Sequence, residues 1–150
     1  MSLPRRAILP LPYARPPLSM NDSIGSRAAL FAVAAKKREI RTAVAELAEQ
    51  AHLPRGVDHA TVQLHYRPAE RRRRDTDNLN ATLKPACDGL AAGKPAWVAK
   101  SGRKMRAQPG YGLVPDDTPR WMSKPEPIIH DPQPGRLGAL WLEITWSANQ

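Results

Sequence analysis

The segment Arg71-Arg72-Arg73-Arg74-Asp75-Thr76-Asp77-Asn78 concentrates more chemistry-bearing side chains than any other part of this chain. Four successive guanidinium groups repel one another in water, and a phosphate backbone is the anion that best gathers them. Two carboxylates follow at once. Asp75 reads as a helix N-cap, and side chains at i and i+2 do not ordinarily share a helix face. At a cap, however, the first lies off the helix, so Asp75 and Asp77 can converge on one cation. Oxygen-only ligands suit Mg²⁺ or Mn²⁺, which keep waters and take one or two carboxylates plus a phosphate oxygen. A second acidic pair, Asp116-Asp117, stands between Pro115 and Thr118-Pro119. Together Asp75, Asp77, Asp116 and Asp117 supply the four acidic donors that a metal-dependent phosphodiester hydrolase needs, in which one metal activates water and another stabilises the leaving oxygen. Lys84, seven residues past Asp77 on the same helix face, is placed to offset charge building on the phosphate in the transition state. The plain structural alternative is a solvated basic loop, a helix cap and an acidic turn.

The elements that must position these groups follow from periodicity. Residues 7–12 predict a short edge strand, because Pro10 removes a ladder donor, and Pro16-Pro17-Leu18-Ser19-Met20-Asn21 predicts a rigid turn. One long helix is expected from Ser26 to His52, with Val33, Ile40, Val44, Leu47 and Ala51 on one stripe and Pro54 and Gly56 stopping it. Ala60, Val62, Leu64 and Tyr66 alternate with polar neighbours, the mark of a strand with one buried face. A second helix is expected over Asp75–Leu90, with Leu79, Leu83, Ala86 and Leu90 inward and Pro85 interrupting its hydrogen bonds. Leu140, Leu142, Ile144 and Trp146 predict a terminal strand. The expected architecture is α/β (α+β), a small mixed sheet with two main helices packed on it, in one domain over 1–150. Residues 91–115 show neither period; a loop that long is expected to be functional or disordered, and it carries Lys100, Arg103, Lys104 and Arg106 with Trp97 and Tyr111.

Composition narrows the partners. The 150 residues carry 23 Lys+Arg against 14 Asp+Glu, a net charge of +9. The excess is bunched, since residues 1–74 hold 14 basic and 6 acidic side chains while 75–150 hold 9 and 8. Such a balance points to a polyanion. No apolar run approaches the ~20 residues of a spanning helix, and prolines follow Arg5 and Arg6 where an export signal needs an apolar run. A single cysteine, Cys87, excludes an internal disulfide and any multi-cysteine zinc site. The expected location is the cytoplasm, with no membrane partner. The 16 prolines fall mainly in 4–17 and 109–134, which are expected to be extended or looped. Only eight aromatic rings (one Phe, three Tyr, four Trp) argue against a base-stacking platform for single strands.

Other motifs are set aside. Gly89-Leu90-Ala91-Ala92-Gly93-Lys94-Pro95 imitates a phosphate loop, but its spacing is short and Pro95 replaces the Ser/Thr, so no nucleotide cofactor is expected. His59 and His65 lack cysteine partners and read as satisfied surface histidines. Asp88 reads as structural, and Cys87 as a quiet buried thiol.

The block Arg-Arg-Arg-Asp-x-Asp-Asn before a helix, with Asp116-Asp117 downstream, resembles the RusA family of Holliday-junction resolvases. Pro16-Pro17-Leu18-Ser19-Met20-Asn21 is similar to that family's Pro-Pro-x-Ser/Thr-x-Asn segment, and the order of elements agrees over nearly the whole chain. The resemblance implies a RusA-like homodimer that cuts four-way DNA junctions symmetrically with Mg²⁺ or Mn²⁺, often encoded by a phage or prophage. It implies Asp75, Asp77 and Asp117 as the essential metal carboxylates, with Asp116 in support, and Arg71, Arg72, Arg73 and Arg74 beside them on the DNA. Two departures stand out. The family often places a lysine four residues after the second aspartate, where this chain has Ala81 and offers Lys84 one turn later. The connection from the acidic helix to Asp116 is also longer than the family's, so against that pattern residues 91–115 are expected to be an inserted basic loop, either contacting DNA through Lys100, Arg103, Lys104 and Arg106 or disordered.

Three functions are therefore weighed. The first is a structure-selective endonuclease in DNA recombination and repair. The second is a non-catalytic branched-DNA-binding protein whose acidic pairs are only caps and turns. The third, an RNA-binding accessory protein, is disfavoured by the scarcity of stacking aromatics.

Overall fold

A computed structural model of the chain describes residues 5–20, 22, 25–71, 74 and 76–147. Its centre is an antiparallel pair, β2 (His59–Arg67) and β7 (Ala139–Ser147), matched along nine residues from His59 opposite Ser147 to Arg67 opposite Ala139. The alternation read from the sequence appears as cross-strand apolar pairs. Val62 faces Ile144, Leu64 faces Leu142 and Tyr66 faces Leu140, all buried. β1 (Arg6–Pro10) lies antiparallel on the far side of β7, as an edge strand ending in its proline. On the other side, β5 (Met122–Ser123) and β6 (Ile128–Ile129) each run parallel to β2, one after the other along its edge. The proline-rich stretch adds little more to the sheet than these two-residue pieces. Among the described residues the result is a mixed α+β architecture of two α-helices and a mixed five-stranded sheet.

The helices cover the apolar side of that sheet. α1 (Arg27–Gln50) starts at Ser26, whose extended backbone and side-chain oxygen cap Ala29 N–H at 3.1 Å. Its C-terminal half is anchored through buried Ile40, Val44 and Ala48; Val33 and Leu47 are partly buried against the same core, Ala51 is exposed, and so are Leu30 and Phe31. The helix stops before Pro54 acts. His52 adopts φ +54°, its N–H bonds to Glu49 O and the Leu53 N–H reaches back to Ala48 O. That is a left-handed helix terminus with a histidine where glycine usually sits.

The second helix is split. A 3-10 turn (Thr76–Leu79) precedes α2 (Asn80–Leu90), instead of one α-helix from Asp75, which lies outside the described residues. Leu79, Leu83, Ala86 and Leu90 are buried in one cluster with the α1 and sheet side chains. α1 and α2 meet at Gly89, where a Cβ would lie 2.6 Å from the Arg41 carbonyl oxygen; only glycine permits that approach.

Residues 91–115 form an ordered connection. β3 (Trp97–Val98) and β4 (Lys104–Met105) make a small hairpin. Its turn bonds Gly102 N–H to Ala99 O and Ala99 N–H to Arg103 O, with Gly102 at φ +86°, a three-residue loop that needs a left-handed residue at that point. Tyr111, expected in a DNA-contacting loop, is instead buried, its hydroxyl donating to Leu53 O. No helix among the described residues is long and apolar enough to cross a membrane.

The other face of the sheet carries a polar stack. His65, expected at the surface, is only 8% exposed. Its ring lies parallel to Trp141 (centroids 5.2 Å apart, 5°) and packs on His130 at 5.1 Å. His65 Nε2 meets Glu143 Oε1 at 3.0 Å and Nδ1 meets His130 Nε2 at 2.8 Å. A neutral His65 that donates to Glu143 through Nε2 must accept from His130 through Nδ1. Doubly charged rings would set donor against donor. Burial first, then the electrostatic effect of His65 and Arg67, holds the His130 pKa below its ordinary value against the opposing pull of Asp131. Hydrogen bonds from Arg6 and then His65 hold Glu143 below the usual carboxylate range.

Two predictions follow from these features. His52→Gly relieves the left-handed strain and raises stability by about 1 kcal/mol, read as a higher melting temperature. For His130, the unfolded chain binds the proton first as pH falls through the ordinary imidazole value near 6.5. Stability therefore falls on acidification between about pH 7 and pH 5, and His130→Leu flattens that slope. Glu143 contributes above its ordinary value and loses that contribution at lower pH, so the acid limb below about pH 4.5 remains in the His130→Leu variant.

Candidate active site

The site is built where β2 hands the chain to α2. Arg74 donates from NH1 to the Glu70 carbonyl at 2.9 Å and lies over the Tyr66 ring at 5.7 Å from its centroid. The 3-10 turn is pinned inside by buried Leu79 and outside by Thr76, whose hydroxyl donates to Glu126 Oε1 at 2.5 Å. Asp77 and Asn78 are exposed on this turn. Arg71 and Arg74 are described; Arg72, Arg73 and Asp75 lie outside the described residues.

From α2, Lys84 reaches across 33 residues of chain to Asp117, Nζ to Oδ2 at 2.5 Å, and also holds Asp88 Oδ1 at 3.0 Å. Asp117 is positioned from two sides. Before it, Val114 is stitched to the end of α2 by the Ala92 N–H to Val114 O bond at 3.0 Å. After it, the Thr118 carbonyl accepts from both Trp121 and Met122 N–H at 2.9 Å, turning the chain into β5. Asp116 Oδ1 accepts the Asp117 N–H at 2.8 Å, while its side chain stays at the surface. A second lysine joins from beyond β5: Lys124 Nζ lies 2.8 Å from the same Asp117 Oδ2.

Electrostatics follow from that geometry. Asp117 is 7% exposed, and burial by itself pushes its pKa up. The Lys124 and Lys84 ammonium groups outweigh burial and hold the carboxyl well below the usual range, so it is ionised. For Lys84, burial works against the charge, but Asp117 and Asp88 more than offset it and keep its pKa above the ordinary lysine value. Arg41 NH1, 3.9 Å from Asp88 Oδ2, extends the network to α1. Cys87 is buried beside it, its thiol pushed up to about 12, chiefly by burial, which makes it a poor nucleophile.

Asp117 fits a hard cation by donor chemistry. It is an ionised carboxylate whose Oδ1 takes no hydrogen bond or ion pair among the described residues. Among the described residues, no three His, Cys, Asp or Glu side chains gather at metal-holding distance, and Asp75 is not among those residues. The structure thus brings Lys84, Asp88 and Asp117 together with Asp116 alongside, while Asp77 is exposed on the 3-10 turn that precedes α2 and does not join them in a metal-holding group among the described residues. Lys124 was not expected. It sits in a proline-rich stretch without periodicity, so nothing in the sequence aims it at Asp117.

Lys100, Arg103, Lys104 and Arg106 are exposed on the β3–β4 hairpin, away from the Arg71–Arg74 run in sequence. The base of this hairpin is seated on α1, where Arg38 donates to Ala107 O at 3.2 Å and Arg41 to Pro109 O at 3.4 Å. Compared with known proteins, the chain matches no family model and no curated relative.

Each lysine shares one carboxylate oxygen, so their contributions are coupled. Lys124→Met is expected to cost roughly 1.5–3 kcal/mol in urea unfolding, the range of a charged hydrogen bond. In a double-mutant cycle with Lys84→Met, the two losses depart from additivity by at least about 0.5 kcal/mol.

Proposed function

We propose that this protein is a metal-dependent, structure-selective endonuclease of the RusA type that resolves four-way DNA junctions by paired phosphodiester cleavage, acting as a homodimer. The observation that carries the reading is the meeting of Lys84 with Asp117. A lysine displaced by one turn from the family position, where this chain has Ala81, still arrives at the downstream acidic pair. Asp75, Asp77 and Asp117 would hold Mg²⁺ or Mn²⁺, with Asp116 in support. When bound, the metal supplies Lewis-acid polarisation of the phosphate and a water more acidic than bulk.

The chain's own residues perform the remaining tasks. Lys84, whose side chain is 59% exposed although its ammonium group touches Asp117, is free to turn toward a phosphate oxygen and offset its growing charge. Lys124 stays behind and keeps Asp117 ionised. Arg71 to Arg74 hold flanking phosphates and counter the carboxylates' repulsion of DNA. Two-fold symmetry suits the substrate, since a junction needs matched nicks in strands of like polarity. A bacterial cytoplasm, reached by a phage or prophage gene, is the setting that agrees with a reduced thiol and a polyanion partner.

One feature favours the binding-only alternative. Two lysines already satisfy Asp117 Oδ2 without a metal, which is what a purely structural ion cluster also does. Cleavage of a labelled four-way junction against linear duplex, with Mg²⁺, Mn²⁺ or EDTA, separates the two. The enzyme nicks the junction in pairs only with metal; Asp77→Asn abolishes cutting and keeps binding. Lys84→Ala slows the wild-type rate by roughly 10²–10³-fold, as loss of one transition-state donor does. Tight junction binding with no metal-dependent nicks in the wild type would establish the binding module instead.

A further inference from the structure

A cavity of about 760 Å³ opens where the N-terminal turn meets the start of α2. Its floor is apolar and firm: Leu79 and Tyr66 are 2% and 6% exposed. Its rim is cationic and polar, with Arg15, Arg74, Ser19 and Asn78. Arg74 is held in place by the Glu70 carbonyl and the Tyr66 ring. Arg15 is exposed and takes no hydrogen bond or ion pair among the described residues. The Ser19 hydroxyl is already engaged by Asp22 at 2.8 Å, which leaves the Asn78 amide as the rim group able to both donate and accept.

These walls describe a ligand with a flat, partly apolar body and an anionic end. A ring fits against Tyr66 and Leu79, and a phosphate fits guanidinium forks. The volume lies within the range of small-ligand sites, ample for one nucleotide. Asn78 adjoins Asp77, so the cavity opens beside the turn that carries the carboxylate. We infer that it receives one unstacked deoxynucleotide of the bound DNA, base on the Tyr66–Leu79 floor and phosphate on Arg15 and Arg74. This rests on the reading of branched DNA as substrate, and it adds a way of sensing the branch. Extruding a base costs a few kcal/mol in a paired duplex and least where pairing is already broken, as at a crossover.

The test uses the whole chain and two probes. Deoxynucleoside 5′-monophosphates, inorganic phosphate and uncharged deoxynucleosides are titrated while backbone amide shifts are followed. Separately, a four-way junction carrying 2-aminopurine beside the crossover reports unstacking by fluorescence. The expected result is that monophosphates shift amides around Leu79 and Asn78 where inorganic phosphate does not. Junction binding is expected to brighten the probe. Arg15→Ala, at an exposed side chain without a partner among the described residues, is expected to weaken monophosphate binding by about tenfold, the worth of one charge-assisted hydrogen bond, and to reduce the fluorescence gain. Equal shifts from inorganic phosphate would make the cavity an anion site and overturn the proposal. So would a silent probe and no monophosphate binding in a protein that still cuts junctions, which leaves the nuclease reading intact. Monophosphate binding without junction cleavage would sustain the cavity as a nucleotide site while the nuclease reading falls.

Discussion

Register between β2 and β7 governs what every other part of this molecule can do. Side chains alternate along a strand, so a slip by one residue would turn Val62, Leu64, Leu142 and Ile144 away from the helices and bring His65, Trp141 and Glu143 under them. The apolar pairs bind that register thermodynamically, each buried aliphatic side chain contributing about 1.5–3 kcal/mol. Once it is set, β2 delivers Tyr66 and Arg67 to one end of the sheet, where the chain must leave toward α2. The same register gathers His65, His130 and Trp141 into a stack on the outer face. The apolar side and the polar side of the sheet are two consequences of one alignment.

The second constraint is a carboxylate that folding has taken out of water. Burying Asp117 as an ion is unfavourable unless opposite charge comes with it. Two lysines from elements on either side of it meet that need, Lys84 from α2 and Lys124 from beyond β5. The arrangement fixes the position of the Asp116-Asp117 turn relative to α2. It also keeps Asp117 ionised, its charge compensated locally by the two lysines.

The sequence made periodic elements legible and left unperiodic geometry dark. Ala60 to Tyr66 and Leu140 to Trp146 alternate, and the alternation maps directly onto the buried faces observed. α1 lies within two residues of the span its pattern predicts, since Ser26 is a strong cap; Pro54 and Gly56 stand where a helix must stop, although the terminating conformation belongs to His52. No composition rule selects a histidine for a left-handed position. The basic run and both acidic pairs were visible from charge alone. Lys84's aim at Asp117 was not, because it depends on where a long connection returns, and neither was Lys124. Residues 91–115 lacked any period because their order comes from single contacts: glycines that allow backbone approach, Tyr111 under Leu53, and a tight turn at Gly102.

Arg41 shows how these pieces become one object. Its carbonyl oxygen faces Gly89 at the closest approach of α1 and α2. Its NH1 stands by Asp88, the partner of Lys84, and its NH2 donates to Pro109 O at the base of the basic hairpin. One residue therefore touches the helix crossing, the lysine–carboxylate network and the connection that carries Lys100, Arg103, Lys104 and Arg106. Its Nε is buried without a partner among the described residues, an arrangement that costs roughly 1–3 kcal/mol and persists because the other contacts over-determine it. A guanidinium is suited to such a joint, since its planar fork holds several acceptors in fixed directions and keeps its charge at any accessible pH. A lysine there would reach one of these acceptors and release the others. The spacing between the carboxylate network and the basic hairpin is in this way a property of one side chain's geometry as much as of the fold around it.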